Sequence, residues 1–253
     1  MGNLKQKRAL ITGGGQGLGC AITEELLDAG ADVAIHYFSS ESGARELKEV
    51  AEKKGRRAEI FRADLTREAE ASALVENAAK FLGGIDVLVN NAGDLVQRRG
   101  LQEVDLEFWH RVMDINVTSM MLVTQAAMPW LIKAGAASIV NLSSLAGRKG
   151  GHPGSLAYST AKGAVTTWTR ALAVELAPKG IRVNAVAPGL ILGTRFHNTH
   201  TTAASAQATV QQIPLGRAGT PADVARAVRF LASEYDGFIT GATLDINGGV
   251  YAA

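Results

Sequence analysis

The chain has 253 residues, of which 47% are hydrophobic and 20% charged, and its formal net charge is +2. This length permits one large α/β domain or two small ones with a substantial core, and the near-balanced charge argues against a nucleic-acid-binding or membrane-surface protein. The single cysteine, Cys20, excludes an internal disulfide and a cysteine-rich metal site. The N-terminus enters a strand without a signal-peptide core, and no apolar run looks long enough to cross a bilayer, so a cytoplasmic protein is expected.

A glycine-rich turn follows the first predicted strand. The strand covers Ala9 to Thr12, glycines stand at positions 13, 17 and 19, and a helix is predicted over 21–29. Glycine permits a tight strand-to-helix turn and lets the backbone approach a pyrophosphate closely. The start of the following helix favours that anion. The spacing differs from Gly-x-Gly-x-x-Gly, yet the flanking strand and helix indicate a phosphate-binding loop rather than a flexible surface loop.

Strands and helices alternate along the rest of the chain. Strands are predicted at 33–37, 57–62, 85–89, 137–142, 181–186 and 242–246, and helices at 41–54, 67–81, 105–131 (interrupted near Pro129), 158–177 and 221–233. This alternation indicates parallel βαβ units, and the apolar strand centres suit a sheet covered on both faces. No linker or repeat divides the chain, so one domain over residues 1–253 is expected.

The segment from about 190 to 210 departs from this rhythm. It is rich in Thr and Ala and contains His197 and His200. Connections of this length in a compact domain are usually functional, so we expect a mobile substrate lid. No clustered Asp, Glu or Cys accompanies the two histidines, which are therefore expected to be solvated loop residues, and no metal site is predicted.

The most chemically suggestive residues are Ser144, at the end of the strand at 137–142, and the pair Tyr158 and Lys162. Residues four apart share one face of a helix, so the phenol and the ammonium project together. A nearby ammonium lowers the pKa of a phenol, which suits general acid–base catalysis. Taken alone, Tyr-x-x-x-Lys also fits the surface of an ordinary amphipathic helix.

In their order and separations, these motifs resemble the short-chain dehydrogenase/reductase family over essentially the whole chain. The matching pieces are Thr12-Gly-x-x-x-Gly-x-Gly19, Asp64, Asn90-Asn-Ala-Gly93, Asn116, Ser144, Tyr158-x-x-x-Lys162 and Pro188-Gly189. The resemblance implies an α/β Rossmann-type fold, a doubly wound parallel sheet of about seven strands with helices on both faces. It also implies a nicotinamide dinucleotide bound at the carboxyl ends of the strands.

The resemblance further implies catalytic roles. Tyr158 would be the general acid in reduction and the general base in oxidation. Lys162 would lower the pKa of Tyr158 and hold the nicotinamide ribose. Ser144 would position the substrate oxygen, with Ser143 as the rival for this role, and Asn116 would hold a water that links Lys162 to solvent as a proton relay.

The cofactor contacts implied by the resemblance are Gly13, Gln16, Gly17, Leu18, Gly19, Tyr37, Ser39, Ser40, Asp64, Leu65, Asn91, Ala92, Gly93, Tyr158, Lys162, Pro188 and Gly189. An acid at the end of the second strand would favour NAD, but none precedes Glu41. Ser39 and Ser40 are then candidate donors to the 2′-phosphate of NADP. The basic residue that NADP-preferring relatives often carry is replaced by Gln16, with Arg45 a possible substitute. The pattern leans to NADP, and NAD stays the alternative.

The implied function is an NAD(P)-dependent oxidoreductase acting on a carbonyl or secondary alcohol, most like the 3-oxoacyl-carrier-protein reductase branch. Two basic pairs, Arg98-Arg99 and Arg148-Lys149, stand near the predicted pocket entrance and either attract an acidic carrier protein or are ordinary solvated charges. A sugar, polyol or small-alcohol dehydrogenase is the alternative enzyme. A non-catalytic nucleotide-binding regulatory protein is disfavoured by the intact motif residues.

The substrate pocket and the assembly are also anticipated. The predicted pocket residues are Asp94, Leu95, Ala146, His152, Ser155 and Leu190. The resemblance implies a homotetramer assembled partly through the helices around 105–131 and 157–177.

Overall fold

The computed structural model describes residues 3–233 and 237–252, and within them seven strands form one parallel sheet. The first two residues, part of the predicted N-terminal lead-in, lie outside the described residues. The strands are β1 (Arg8–Ile11), β2 (Asp32–Tyr37), β3 (Ala58–Arg62), β4 (Val87–Asn90), β5 (Ala137–Leu142), β6 (Ile181–Pro188) and β7 (Thr243–Ile246). Their spatial order is β3-β2-β1-β4-β5-β6-β7, so the winding direction reverses between β1 and β4. Ligands bind at such a switch point in open α/β sheets.

Helices cover both faces of the sheet. They are α1 (Gly17–Asp28), α2 (Glu41–Lys53), α3 (Glu68–Leu82), α4 (Leu106–Met113), α5 (Ser119–Ala134), α6 (Leu145–Lys149), α7 (Leu156–Leu176), α8 (Arg195–His200), α9 (Ala203–Val210) and α10 (Pro221–Ala232), with 3-10 turns at Leu101–Glu103 and Ala177–Lys179. The core on one face is shared by α1, α2 and α10, and the core on the other by α3, α5 and α7. Because both faces are covered, strands such as β4 and β5 are buried along their whole length. The predicted Rossmann-type fold class is confirmed.

The long helical region differs from the prediction in where it is interrupted. We expected a break near Pro129, but α5 continues through this residue to Ala134. A proline in a helix removes one backbone hydrogen bond, and the packing of α5 against the sheet tolerates that loss. The α-helical pattern changes instead at the π-helical turn Asp114–Thr118, which joins α4 to α5.

The same stretch bears on the membrane expectation. Among the described residues, Leu106–Ala134 is long and apolar enough to cross a membrane by length and composition, contrary to the expectation that no such run exists. This is weak evidence for a membrane span, because the core helix of a soluble protein passes the same test. One face of α5 packs into the core through Val123, Ala127 and Leu131.

Candidate active site

One groove of about 1070 Å³ opens at the carboxyl ends of the strands. The predicted site residues that line it are Gly13, Gln16, Gly17, Leu18, Ser39, Ser40, Asp64, Leu65, Asn91, Ala92, Gly93, Ser144, Tyr158, Lys162, Pro188 and Gly189. Three further predicted residues, Gly19, Tyr37 and Asn116, are not part of the lining.

The glycine loop depends on glycine at defined positions. Gly13 and Gly17 adopt φ values of +63° and +54°, a region that side chains with a Cβ rarely occupy. A Cβ at Gly19 would collide with the carbonyl oxygen of Gly13, which explains the need for glycine at a buried position outside the lining. Gln16, the N-cap of α1, makes no side-chain capping bond. The first N–H groups of α1 are therefore available to an anion in the groove.

Side chains from two neighbouring strands hold this loop in place. Asn91 Nδ2 donates to the backbone oxygens of Thr12 at 2.9 Å and Gly13 at 3.0 Å. The backbone N–H of Gly13 donates to His36 Nδ1 at 2.9 Å, while His36 Nε2 lies 3.1 Å from the oxygen of Ala63. Burial lowers the pKa of His36 to about 4, so the ring is neutral and these partners set its tautomer.

The end of β2 corrects the assignment of Tyr37 as a cofactor contact. Tyr37 is 8% exposed and belongs to the core shared with α1 and α2, whereas His36 and Phe38 line the groove. Alternate residues of a strand point to opposite faces, which explains why its neighbours take the position expected for Tyr37. His36 was missed by the sequence reasoning, although this alternation could have indicated it.

The turn after β2, residues 38–40, determines the charge at the end of the groove where the adenosine of a cofactor is expected. No carboxylate of β2 or of residues 38–40 faces the groove, where Ser39 and Ser40 present hydroxyl groups. Arg45, the possible substitute for a missing basic residue, is engaged by Glu41 at 2.8 Å. Asp64 lines the groove and also closes its own turn, since its carboxylate accepts from the N–H and the hydroxyl of Thr66.

At the base of the groove, Tyr158 and Lys162 stand one turn apart on α7. Lys162 is 4% exposed; its Nζ donates to the oxygen of Leu142 at 2.9 Å and lies 5.7 Å from the centre of the Tyr158 ring. Ser144 is the N-cap of α6, where its hydroxyl accepts from the N–H of Ala146 at 3.1 Å, and it is near enough to Tyr158 to lower the pKa of the phenol. All three residues line the groove.

The pKa of the phenol does not follow the expectation. Burial raises the pKa of Tyr158 to about 12, with a smaller contribution from Asp94, and the bond to Ser144 only partly offsets this. Burial also lowers the pKa of Lys162 to about 8. The net shift of the Tyr158 pKa is therefore upward, opposite to the direction expected from a nearby ammonium, because burial is its largest cause.

Ser143, the rival of Ser144, is held elsewhere. Its hydroxyl donates to the backbone oxygen of Lys162 at 2.9 Å and lies 2.8 Å from the hydroxyl of Thr166. Ser143 is buried, so these bonds tie the end of β5 to α7. Of the two serines, Ser144 is the one that affects the pKa of the phenol.

Asn116 lies in the π-helical turn and clamps the chain beside Lys162. Its Nδ2 donates to the oxygens of Asp94 at 2.7 Å and Val112 at 2.9 Å, and its Oδ1 accepts from the N–H of Asp94 at 3.2 Å. A Cβ at Gly93 would lie 2.7 Å from Asn116 Oδ1 and 2.9 Å from Lys162 Nζ. The two side chains are therefore neighbours, and π-helical turns often mark functional sites.

The segment 190–210, called the lid segment below, covers the catalytic end of the groove. The ring of Phe196 lies 5.8 Å from that of Tyr158, and His200 Nε2 lies 3.5 Å from the Asp94 carboxylate. Burial lowers the pKa of His197 to about 4. His197 and His200 are half-buried and line the groove, so the expectation of solvated loop histidines is wrong.

Most of the basic side chains of the two predicted entrance pairs have hydrogen-bond or ion-pair partners. Arg98 donates to the oxygen of His200 at 3.3 Å, Arg99 pairs with Asp105 at 3.0 Å, and Arg148 pairs with Asp245 at 3.0 Å. Lys149 is exposed and, in the described part of the chain, has no acidic partner.

The groove lining includes polar side chains that the sequence did not indicate. Of the six predicted pocket residues only Asp94 lines the groove. Residues missed from the sequence that do line it are Val96, Glu107, His110, Arg111, Asp114, Thr194, Arg195 and Phe196. Across the described residues, no group of His, Cys, Asp and Glu is arranged to hold a metal ion.

Comparisons with known proteins agree with this geometry. A family model described as enoyl-(acyl carrier protein) reductase matches residues 13–251. The chain is 38% identical to the 3-oxoacyl-(acyl-carrier-protein) reductase of Aquifex aeolicus, covering 98% of both chains. It is 36% identical to glucose 1-dehydrogenase 2 of Bacillus subtilis, covering 98% of this chain and 96% of that protein.

The solved structures give the same result. A short-chain dehydrogenase from Burkholderia cenocepacia, determined in complex with NADP, superposes with a TM-score of 0.92 at 34% identity, covering 99% of this chain and all of the other. Sequence, fold and groove therefore agree: this chain belongs to the short-chain dehydrogenase/reductase family and is an NAD(P)-dependent oxidoreductase.

Proposed function

We propose that the protein is an NADP-preferring reductase that converts a carbonyl compound to a secondary alcohol, with NAD as the alternative cofactor. The observation that carries this proposal is the cluster of Ser144, Tyr158 and Lys162, which meets the glycine loop in one groove. The same proposal treats residues 1–253 as one catalytic domain with a mobile lid segment.

Tyr158, Ser144 and Lys162 have different roles in the proposed reduction. The nicotinamide supplies the hydride when bound. Tyr158 donates the proton to the carbonyl oxygen, and its pKa of about 12 keeps that proton in place at neutral pH. Ser144 donates a hydrogen bond that orients the same oxygen. Lys162 provides a positive charge close to the phenol and a donor for the cofactor ribose, and it stays largely protonated below its pKa of about 8.

Asn116 is proposed as the residue that holds a relay water beside Lys162. This role is supported by the proximity of both side chains to Gly93. Its clamp on Asp94 also fixes the wall of the substrate end of the groove.

The preference for NADP is supported by the turn after β2. The glycine loop and the start of α1 suit a dinucleotide pyrophosphate, so the residues present fit this cofactor. The hydroxyls of Ser39 and Ser40 are donors that a 2′-phosphate can use, and no carboxylate from this turn repels it.

Two substrate classes are proposed. The first is a 3-oxoacyl thioester, supported by the likeness to the Aquifex aeolicus reductase. Arg99 and Arg148 are ion-paired, whereas Arg98 donates only to backbone oxygens and keeps its positive charge available to an acidic carrier protein. The second is a hydroxylated carbonyl such as a sugar derivative, supported by the likeness to glucose 1-dehydrogenase 2 of Bacillus subtilis.

A substrate panel tests the proposal. The purified protein is assayed by cofactor absorbance with NADPH and NADH against 3-oxoacyl thioesters, sugar-derived carbonyls and simple ketones, and in reverse with the alcohols. We expect turnover on at least one class with a higher kcat/KM for NADPH. Turnover with NADH alone would overturn the cofactor preference, and no turnover with any substrate would overturn the proposed reductase.

Assembly and location complete the proposal. We propose a cytoplasmic homotetramer built partly through α4, α5 and α7. Exposed apolar side chains on these helices, Leu106, Ile132, Leu156 and Val174, support this. Light scattering of the purified protein tests the tetramer.

A further inference from the structure

The side chain of Arg195 connects the lid segment to the glycine loop. Arg195 is the first residue of α8, and its Nη1 donates to Gln16 Oε1 at 3.3 Å, although the two residues are 179 positions apart. Beside this bond, a Cβ at Gly17 would lie 3.7 Å from the Cβ of Thr194. The start of α8 and the start of α1 therefore face each other across the groove.

The charge of Arg195 is left without a counterion. In residues 3–233 and 237–252 no carboxylate lies within ion-pair distance of its guanidinium, whereas Arg148 in the same half of the chain pairs with Asp245. A guanidinium has five N–H donors, and the neutral amide of Gln16 accepts from only one nitrogen. An arginine that faces a groove with most donors free is suited to bind a phosphate or carboxylate.

The opposite wall of the groove favours the same kind of ligand. Gln16 and Gly17 begin α1, a helix of 12 residues whose N-terminal N–H groups have no side-chain cap. Helix N–H groups on one side and a guanidinium on the other form a cradle for an anion. Gln16 occupies the place where a basic residue was expected for NADP, and Arg195 brings a positive charge to that place from another part of the chain.

We propose that Arg195 binds a phosphate of the cofactor, the pyrophosphate in the first instance, and that this bond holds the lid segment against the glycine loop. The inference rests on the dinucleotide groove of the proposed function. It predicts that cofactor binding and ordering of the lid segment are coupled through one side chain, because the residue that contacts the phosphate is part of α8.

The first test compares cofactor affinities. NADPH and NADH are titrated by fluorescence into the wild type, Arg195→Ala, Arg195→Lys and the control Arg226→Ala. Arg226 is also an arginine on an exposed helix face, but it pairs with Asp223 at the start of α10. We expect Arg195→Ala to raise the Kd of both cofactors about tenfold, which corresponds to about 1.4 kcal/mol, Arg195→Lys to raise it less, and Arg226→Ala to leave it unchanged.

The second test measures the lid segment directly by hydrogen exchange. In the wild type, saturating NADPH should slow exchange of amides in the lid segment, and in Arg195→Ala this slowing should be largely lost at equal saturation. A loss of affinity confined to NADPH would assign Arg195 to the 2′-phosphate instead of the pyrophosphate. An unchanged Kd for both cofactors in Arg195→Ala would overturn the role of Arg195, whereas a wild type that binds neither cofactor would overturn the groove assignment itself.

Discussion

Tyr158 and Lys162 share one face of α7, and burial moves their pKa values in opposite directions. The pKa of the Tyr158 phenol is about 12, so the phenol is protonated at neutral pH. The pKa of the Lys162 ammonium is about 8, which is close to neutral pH. The ammonium is therefore the group whose charge changes near neutral pH. Asp94 raises both pKa values and so favours the protonated state of each residue.

The pH dependence of reduction follows from Lys162. Its proton is present below a pKa of about 8 and lost above it, so kcat for reduction should fall as the pH rises through this value. Lys162→Ala should be slower throughout and should lack this falling limb. The measurement is kcat against pH at saturating cofactor, and a wild-type profile that stays flat from about pH 7 to about pH 9 would contradict the role of the ammonium.

The cofactor preference is tested at Ser39. A carboxylate there would accept hydrogen bonds from the ribose hydroxyls of NAD and repel a 2′-phosphate. We expect Ser39→Asp to shift the ratio of kcat/KM values about tenfold or more toward NAD, while the uncharged control Ser39→Asn changes it little. Equal shifts in both Ser39 variants would rule out an electrostatic cause.

Single residues also show which features of the site could be predicted from the sequence. The i, i+4 spacing brings Tyr158 and Lys162 onto one face, and this adjacency was predictable. The direction of the Tyr158 pKa shift was not, because it depends on atoms from other elements that remove the phenol from water. The choice between Tyr37 and its neighbours required only the strand alternation and was predictable in principle.

At the scale of elements, periodicity indicated the strands and most helices, while local hydrogen bonds decided the rest. The π-helical turn Asp114–Thr118 carries no sequence signal that we recognised, and it places Asn116 against Asp94. The short helices α8 and α9 have Thr194 and Thr202 as N-caps, and the hydroxyls of these residues accept from N–H groups three residues later. An N-cap can be recognised in a sequence only where a long helix follows it, as Thr220 is followed by α10.

The cap of α10 offers a stability test. Thr220 accepts from the N–H of Asp223, whose carboxylate accepts in turn from Thr220. Thr220→Ala should lower the free energy of unfolding by about 1 kcal/mol in urea titrations. The matched control is Thr202→Ala at the start of α9, a helix with no buried residue among those described, and it should cost clearly less. Equal losses of unfolding free energy in the two variants would show that the packing of α10 against α1 does not increase the contribution of its N-cap to stability.

For the whole molecule, the parallel α/β class was accessible from the alternation of strands and helices, whereas contacts between distant parts were not. The bond between Arg195 and Gln16 and the approach of His200 to Asp94 join segments that have no sequence relationship. These contacts shape the groove, which explains why only one of the six predicted substrate-pocket residues lines it, while most of the predicted glycine-loop contacts do.

Global stability should respond to two histidines, His36, which is buried, and His197, which is half-buried. The pKa values of His36 and His197 are lowered to about 4 in the folded protein, so between this value and about 6.5 the unfolded chain binds more protons. Stability should therefore fall as the pH drops through that window, with a limiting slope of about 1.4 kcal/mol per pH unit for each histidine.

Urea titrations at several pH values measure this effect. His36→Asn should flatten the slope of unfolding free energy against pH even if the variant is less stable at neutral pH. An unaltered slope would mean that His36 is not held neutral by the fold.

The most direct test of the central claim is Tyr158→Phe, assayed with the best substrate of the panel. The substitution removes the hydroxyl and keeps the ring against Phe196. We predict that kcat falls by about 10²–10⁴-fold, while the Kd for NADPH changes little. A purified, folded Tyr158→Phe variant with near-normal kcat would contradict the assignment of Tyr158 as the proton donor.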